Sequence, residues 1–377
     1  LRYFIRNNMR RSLLLLALLL VGCGEPSKPY KWQLPEGFPE PQVPSTNPMS
    51  DAKVELGRHL FYDKNLSANG LQSCASCHQQ DRAFAEMIPT SIGSTGELHH
   101  RNSQALVNVV YNKTLTWAHS EMTELEQQIL LPLFGETPLE MGVTGHEEEV
   151  LARFNTPEYN ALFERAFGTQ DASFDHIVKS LASFTRSLIS FQSRFDQYAY
   201  AMKDDALTAS EIRGMDLFFS ERLECHHCHG GFNFTQSTTH QKQQLDRHPF
   251  HNTGLYNIDG KGAFPLSDQG LFSITETPQD MGKFRAPTLR NIALTAPYMH
   301  DGSLQTLEQV IDFYAGAGRN ITTGEHRGDG RENPYKSAFI KGFQLTEQEK
   351  QDLVAFLHTL TDEKFIKNKA FSNPFKQ

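Results

Sequence analysis

Apolar positions along the chain fall into two regimes. From Leu13 to Val21 they form one unbroken run behind Arg10 and Arg11, whereas beyond residue 50 they recur at helical spacing. The run is too short to span a bilayer and remain there, so it predicts the apolar centre of a signal peptide over 1–23, with Met9 as its start. It ends Leu20-Val21-Gly22-Cys23, matching a bacterial lipobox with Cys23 as the lipidated residue; a plain secretory signal with an incidental cysteine is the alternative. Residues 24–49, rich in Pro and Glu, predict an extended tether.

Order is expected from Ser50, an N-cap for a helix reaching about Tyr62 with Val54, Leu60 and Phe61 on its apolar stripe. Thr208 with Glu211, Thr306 with Gln309 and Thr346 with Glu349 repeat the capping-box spacing, in which a hydroxyl and a carboxylate or amide satisfy each other's backbone donors. Segments 175–202, 208–220, 306–315 and 347–360 carry helical periodicity, and strand signals are few and short. The expected fold is mostly α, with long loops around 79–115 and 230–290.

The pattern also repeats. Gly57-x-x-Leu60-Phe61 is echoed by Gly214-x-x-Leu217-Phe218; Trp117 lies eight residues before Leu125-Glu126-Gln127, and His300 seven before Leu307-Glu308-Gln309. Two copies of one structural unit are therefore expected: residues 50–204, completed by 340–377, and residues 205–339. The 175–202 helix, with Arg186, Arg194 and Asp196, is the expected bridge.

Each copy carries one chemical motif. Cys74-Ala75-Ser76-Cys77-His78 and Cys225-His226-His227-Cys228-His229 are both CxxCH. One helical turn sets two thiols along one edge of a porphyrin, for thioether bonds to its vinyl groups, with the imidazole beneath the iron. A zinc site would need further thiols, and five cysteines less these four leave only Cys23. The motifs thus predict two covalent c-type haems, each a rigid apolar centre for a chain with no disulfide to offer.

Composition changes this picture little: 38% hydrophobic and 21% charged residues describe an ordinary globular chain. A net charge of −8, with no basic run interleaved with aromatics, excludes a nucleic-acid surface.

Around the motifs, longer blocks resemble the bacterial di-haem cytochrome c peroxidases and their MauG-like relatives. These blocks are Ser73-Cys74-Ala75-Ser76-Cys77-His78, Arg101-Asn102-Ser103, Leu125-Glu126-Gln127-Gln128 with Pro132, and Pro138-Leu139-Glu140-Met141-Gly142. Later come Phe284-Arg285-Ala286-Pro287-Thr288-Leu289-Arg290-Asn291 and Thr295-Ala296-Pro297-Tyr298-Met299-His300-Asp301-Gly302, all in family order from about Leu34 to Asp362. Leu34-Pro35-Glu36-Gly37-Phe38-Pro39 and Gly93-Ser94-Thr95-Gly96-Glu97 look closest to the branch that modifies a partner protein. The resemblance implies a peroxidatic N-terminal haem and an electron-transfer C-terminal haem. It implies that Gln128 and Glu140 handle peroxide, that Pro132 packs over the distal face, and that Trp117 relays electrons between the haems. Asn102, Thr295 and Pro297 match a calcium site between the haems, and hard oxygen donors suit that ion.

Two departures stand out. The peroxidases carry a His after Ser-Ile-Gly that caps the resting N-terminal haem; here Ser91-Ile92-Gly93 leads to Ser94, a poor iron ligand. An open iron at His78 is expected unless His99 or His100 substitutes, and loop histidines are more often solvated. Second, the family places a Met fourteen residues after the His of the His-Asp-Gly block. Counting from His300 reaches Tyr314, the residue type MauG has there. A phenolate stabilises oxidised iron where a thioether favours ferrous iron. Met281 and Met299 are the alternative ligands, and a core tyrosine the alternative reading.

The signal segment and Cys23 therefore predict a periplasmic enzyme, lipid-anchored at the outer membrane, and the resemblance implies its activity. It would reduce hydrogen peroxide and oxidise a side chain, Trp above all, on a partner protein that could bind copper. Rival expectations are a cytochrome c peroxidase fed by a small cytochrome or cupredoxin, and a non-catalytic electron carrier.

Overall fold

The computed structural model describes residues 30–241 and 250–375, so Cys23 and the signal segment lie outside the described residues. The helices in chain order are α1 (Asp51–Tyr62), α2 (Cys74–Cys77), α3 (Leu125–Phe134), α4 (Glu147–Ala152), α5 (Pro157–Phe167) and α6 (Phe174–Arg186). They continue as α7 (Arg194–Ala199), α8 (Ala209–Phe218), α9 (His226–His229), α10 (Phe272–Thr275), α11 (Leu307–Ala315), α12 (Glu347–His358) and α13 (Glu363–Ile366). Two antiparallel ribbons of two residues per strand complete the regular structure: β1 (Phe250–His251) with β2 (Phe284–Arg285), and β3 (Asn320–Ile321) with β4 (Gly328–Asp329). The chain is mostly helical, as its periodicity predicts, and no helix among the described residues is long and apolar enough to cross a membrane.

The repeat appears as two crossed helix pairs. In α1, Ser50 Oγ caps by accepting from Lys53 N at 3.3 Å, and Leu56, Gly57, Leu60 and Phe61 face α6. In α8, Thr208 and Glu211 close the expected capping box, and the same face packs on α12, itself opened by the Thr346–Glu349 box. Glycine is needed at each crossing: a Cβ at Gly57 would collide with the Ser180 carbonyl, and one at Gly214 with the Asp352 carbonyl. The first core gathers Leu56, Leu60, Phe61, Phe84, Phe154, Phe163, Leu181 and Phe184; the second gathers Phe218, Phe234, Leu307, Ile311, Leu353 and Phe356.

One expectation needs correction. The predicted 175–202 helix is two helices, α6 and α7, separated by an irregular stretch. Side chains from elsewhere take over the backbone groups that would continue the helix. Asn108 Oδ1 accepts from Ser190 N at 2.7 Å while its Nδ2 donates to Ser190 O, and Asp362 Oδ2 accepts from Gln192 N. Ser193 then restarts the helix through a capping box with Asp196, whose carboxylate is held by buried Arg290 at 2.9 and 3.0 Å. Residues 340–377, expected to complete the first unit, are shared: Leu353, Phe356 and Leu357 of α12 belong to the second core, whereas Phe365, Ile366 and Phe371 join the first.

Candidate active site

Both CxxCH motifs fold the same way. In the first, Ser73 N donates to Ser76 Oγ at 3.0 Å and opens the single turn α2. Left-handed Ala83 and Phe84 then curl the following turn so that the Phe84 carbonyl lies 2.7 Å from His78 Nδ1. A carbonyl only accepts, so Nδ1 carries the proton and Nε2 keeps its lone pair free. In the second, His229 Nδ1 lies 3.1 Å from the Pro287 carbonyl and 3.4 Å from that of left-handed Phe234. Burial lowers the pKa of His78 and pushes that of His229 down to about 4, so both rings are neutral, as iron ligands must be.

Each motif opens on its own cavity. The first, of about 280 Å³, is lined by Cys74, Cys77 and His78 on one side and by Gln128, Pro132 and Glu140 on the other. The second, of about 440 Å³, is lined by Cys225, Cys228, His229, Met299 and Tyr314. Burial pushes the thiols of Cys74, Cys77 and Cys225 up to about 12 and that of Cys228 to about 11, which disfavours the thiolates a zinc site requires. The walls instead fit a large apolar group with a polar edge. Buried polar atoms of Gln104, Asn112, Thr116, Gln128, His251 and Arg285, all on these walls, have no protein partner. A haem c fits: thioethers at the cysteine edge, imidazole beneath, and carboxylates to meet the unpaired donors.

The far wall of the first cavity comes from three segments. Gln128 and Pro132 sit one turn apart on α3, hence on one face of it. Met141 N donates to Pro132 O at 2.9 Å, folding the 136–142 loop back so that Glu140 faces the same space. Ser94 N donates to Glu140 O at 2.9 Å, and Gly93 lies so close to the Leu139 carbonyl that a side chain there would collide. Ser94 thus acts through its backbone, and the cavity wall at this loop is Ser91, Ile92 and Gly93. The Gln128 Oε1 atom is buried without a partner, and burial lifts the Glu140 carboxyl to about 7. Of the two histidines that could cap the iron, His100 is exposed, whereas His99 lines the cavity with its Nδ1 3.7 Å from Glu140 Oε1. The expectation of solvated loop histidines therefore holds for His100 and fails for His99, because His99 N is drawn to the Ser91 carbonyl at 2.9 Å.

Trp117 lines both cavities, and its indole Nε1 donates to Asn102 O at 2.7 Å. Arg285, whose role sequence reasoning missed, lines both as well. Its backbone N donates to Trp117 O, its Nε to Thr116 O and its Nη2 to Gln104 Oε1, leaving Nη1 unpaired. Burial lowers its pKa to about 10, which still leaves a cation between the two sites at neutral pH. Its only signal in the sequence was membership of the Phe-Arg-Ala-Pro block; no spacing argument singles it out.

Asn102, Thr295 and Pro297 all line the second cavity. The Asn102 Nδ2 donates to the carbonyls of Ile88 and Pro89, both at 3.1 Å, which turns its amide oxygen away from them. Tyr314, on α11, reaches the second cavity, as does Met299; Met281 does not line it. Burial first, and then the nearby Cys228 and Cys225, push the Tyr314 phenol well above its usual range, so it ionises only against a cation.

Two neutral imidazoles, each below a cavity edged by paired thiols, define an oxidoreductase of the di-haem c-type kind. The chain belongs to the di-haem cytochrome c peroxidase family, whose signature matches residues 51–205. It is 33% identical over 342 residues to the cytochrome-c peroxidase IdrP1 of Pseudomonas sp. strain SCT, covering 86% of this chain and 84% of that one. It is 30% identical to the methylamine utilization protein MauG of Methylorubrum extorquens, covering 88% and 84%. A solved structure of a MauG-like protein associated with microbial copper homeostasis superposes with a TM-score of 0.89 at 50% identity, covering 92% of this chain and all of that one. The chain is accordingly a haem peroxidase with two haem c groups that acts with peroxide.

Proposed function

We propose that this enzyme reduces hydrogen peroxide at the first site and draws the two electrons from a side chain, Trp above all, of a partner protein. The observation that carries the proposal is the distal set of unpaired Gln128 Oε1 and Glu140, its carboxyl lifted to about 7 by burial, facing a cavity that no loop histidine closes from position 94. When bound, the haems supply the iron that accepts peroxide oxygen and stores oxidising equivalents. The Glu140 carboxylate takes the proton from the near peroxide oxygen and returns it to the far one, which leaves as water. The Gln128 side chain would orient the peroxide by hydrogen bonding to it. Pro132, which lacks a backbone N–H, presents an inert apolar surface over the same face. Trp117 and Arg285, shared by both cavities, provide the contact through which the second site takes part. Two electrons and two protons convert the peroxide into two waters, and the partner side chain is oxidised by giving up those two electrons.

The similarity to the copper-associated MauG-like protein supports a copper-binding partner, and the run ending at Cys23 supports an exported, lipid-anchored periplasmic enzyme. Calcium at Asn102, Thr295 and Pro297 belongs to the same proposal. A second reading, a peroxidase fed by a small cytochrome or cupredoxin, is supported by the likeness to IdrP1. Peroxide added to the resting, fully ferric protein decides between them. A long-lived near-infrared band from two electronically coupled haems is expected; activity that requires prior half-reduction, with fast cytochrome turnover, overturns the proposal.

A further inference from the structure

A cluster of metal-ligating side chains lies outside the site described above. Glu221, in the turn after α8, and His226 and His227, inside the second CxxCH, place one ligand atom each within 4.8 Å of the others. The His226 Nε2 is 3.4 Å from Glu221 Oε1, and the His227 Nε2 is 3.4 Å from Glu221 Oε2. Both separations are long for a hydrogen bond, each to a different oxygen of the carboxylate, and they leave room between the carboxylate and the two rings for one ion about 2.1 Å from its donors. Neighbouring residues on a helix ordinarily diverge by about 100°. Here the two rings lie side by side with centroids 4.3 Å apart, and His227 is stacked on Phe339 at 4.6 Å, so the convergence is held by packing. Glu224, in the left-handed conformation at φ 61°, brings its Oε2 to 2.9 Å from His227 Nε2 and is placed to join as a further oxygen donor.

We infer that Glu221, His226 and His227 form a binding site for a divalent transition cation, with copper(II) bound more tightly than zinc. Two imidazoles and one or two carboxylates suit both ions, and the intrinsic affinity order places copper above zinc. Glu221 and Glu224 also line the second haem cavity, so a dication here adds positive charge beside that haem and favours its reduced form. The inference does not depend on the peroxide chemistry.

The test is a calorimetric titration of the haem-loaded protein with copper(II) and, separately, zinc. One equivalent of copper is expected to bind with an electron paramagnetic resonance signal split by two nitrogens, and E221Q and H227Q each to weaken it at least tenfold. Glu221 is largely exposed, so E221Q folds and loads haem normally and keeps the test valid if H227Q does not. Unchanged copper affinity in E221Q overturns the site. Zinc is also expected to raise the midpoint potential of the second haem in the parent protein and not in E221Q; a potential unmoved by saturating zinc overturns the electrostatic role.

Discussion

His99 Nδ1 stands 3.7 Å from Glu140 Oε1, inside the cavity that His78 closes from below. Burial lifts the Glu140 carboxyl to about 7 and lowers the pKa of His99, so neither is fully charged at neutral pH. Of the two forms of Glu140, the carboxylate is the one that can accept the peroxide proton. The carboxyl is protonated below about 7 and ionised above it, so the second-order rate with peroxide is expected to rise with pH and level off above that point. E140Q removes this inflection and slows the reaction by about 10²- to 10⁴-fold. H99Q is expected to leave the inflection near 7, because burial keeps the His99 ring neutral there and burial alone raises the carboxyl. Stopped-flow pH profiles check both; an inflection that survives E140Q assigns it to another group.

Gly57 and Gly214 make the same contact in the two halves, each laid against a carbonyl of the crossing helix. G57A is expected to cost about 1–3 kcal/mol, because the obstruction is backbone and cannot rotate away. Urea unfolding of the haem-loaded protein, followed at each haem, would show the loss. An unchanged midpoint would mean that α1 and α6 separate without penalty.

Arg285 is a buried cation touching both cavities with one guanidinium nitrogen unpaired. Positive charge favours the reduced form of a nearby haem, so R285Q is expected to lower the midpoint potentials of both haems, and R285K to fall in between because it keeps the charge but not the fork. Spectroelectrochemical titration measures this. A shift confined to one haem would remove Arg285 from its bridging role.

What the sequence displayed most clearly was local. The caps at Ser50, Thr208 and Thr346 and the two CxxCH turns depend on residues a few positions apart, and they appear where expected. What it hid depends on distant partners. Nothing in the periodicity of 175–202 shows that Asn108 and Asp362 will take over the backbone at 190–192. Nor does the apolar pattern of 347–360 say which of two similar cores it joins; that is settled by Gly214 fitting against Asp352. His99 and His100 are adjacent in a loop with no period, so only the hydrogen bond from His99 N to Ser91 O decides which ring turns inward.

Tyr314 and Met299 both reach the second cavity, and they make opposite predictions for its iron. The Tyr314 phenol is held neutral by burial beside Cys225 and Cys228, so it becomes an anionic ligand only if the iron displaces its proton. A phenolate would stabilise the oxidised haem, whereas the thioether of Met299 would hold it reduced. Y314F is therefore expected to change the absorption and resonance spectra of the second haem and to raise its midpoint potential, leaving the first haem unaltered. M299L is expected to leave both spectra unchanged. The reverse pattern, a silent Y314F and an altered M299L, would make the second haem a reduced electron store of the kind a cytochrome-fed peroxidase uses, and would count against oxidising equivalents being shared between the two sites.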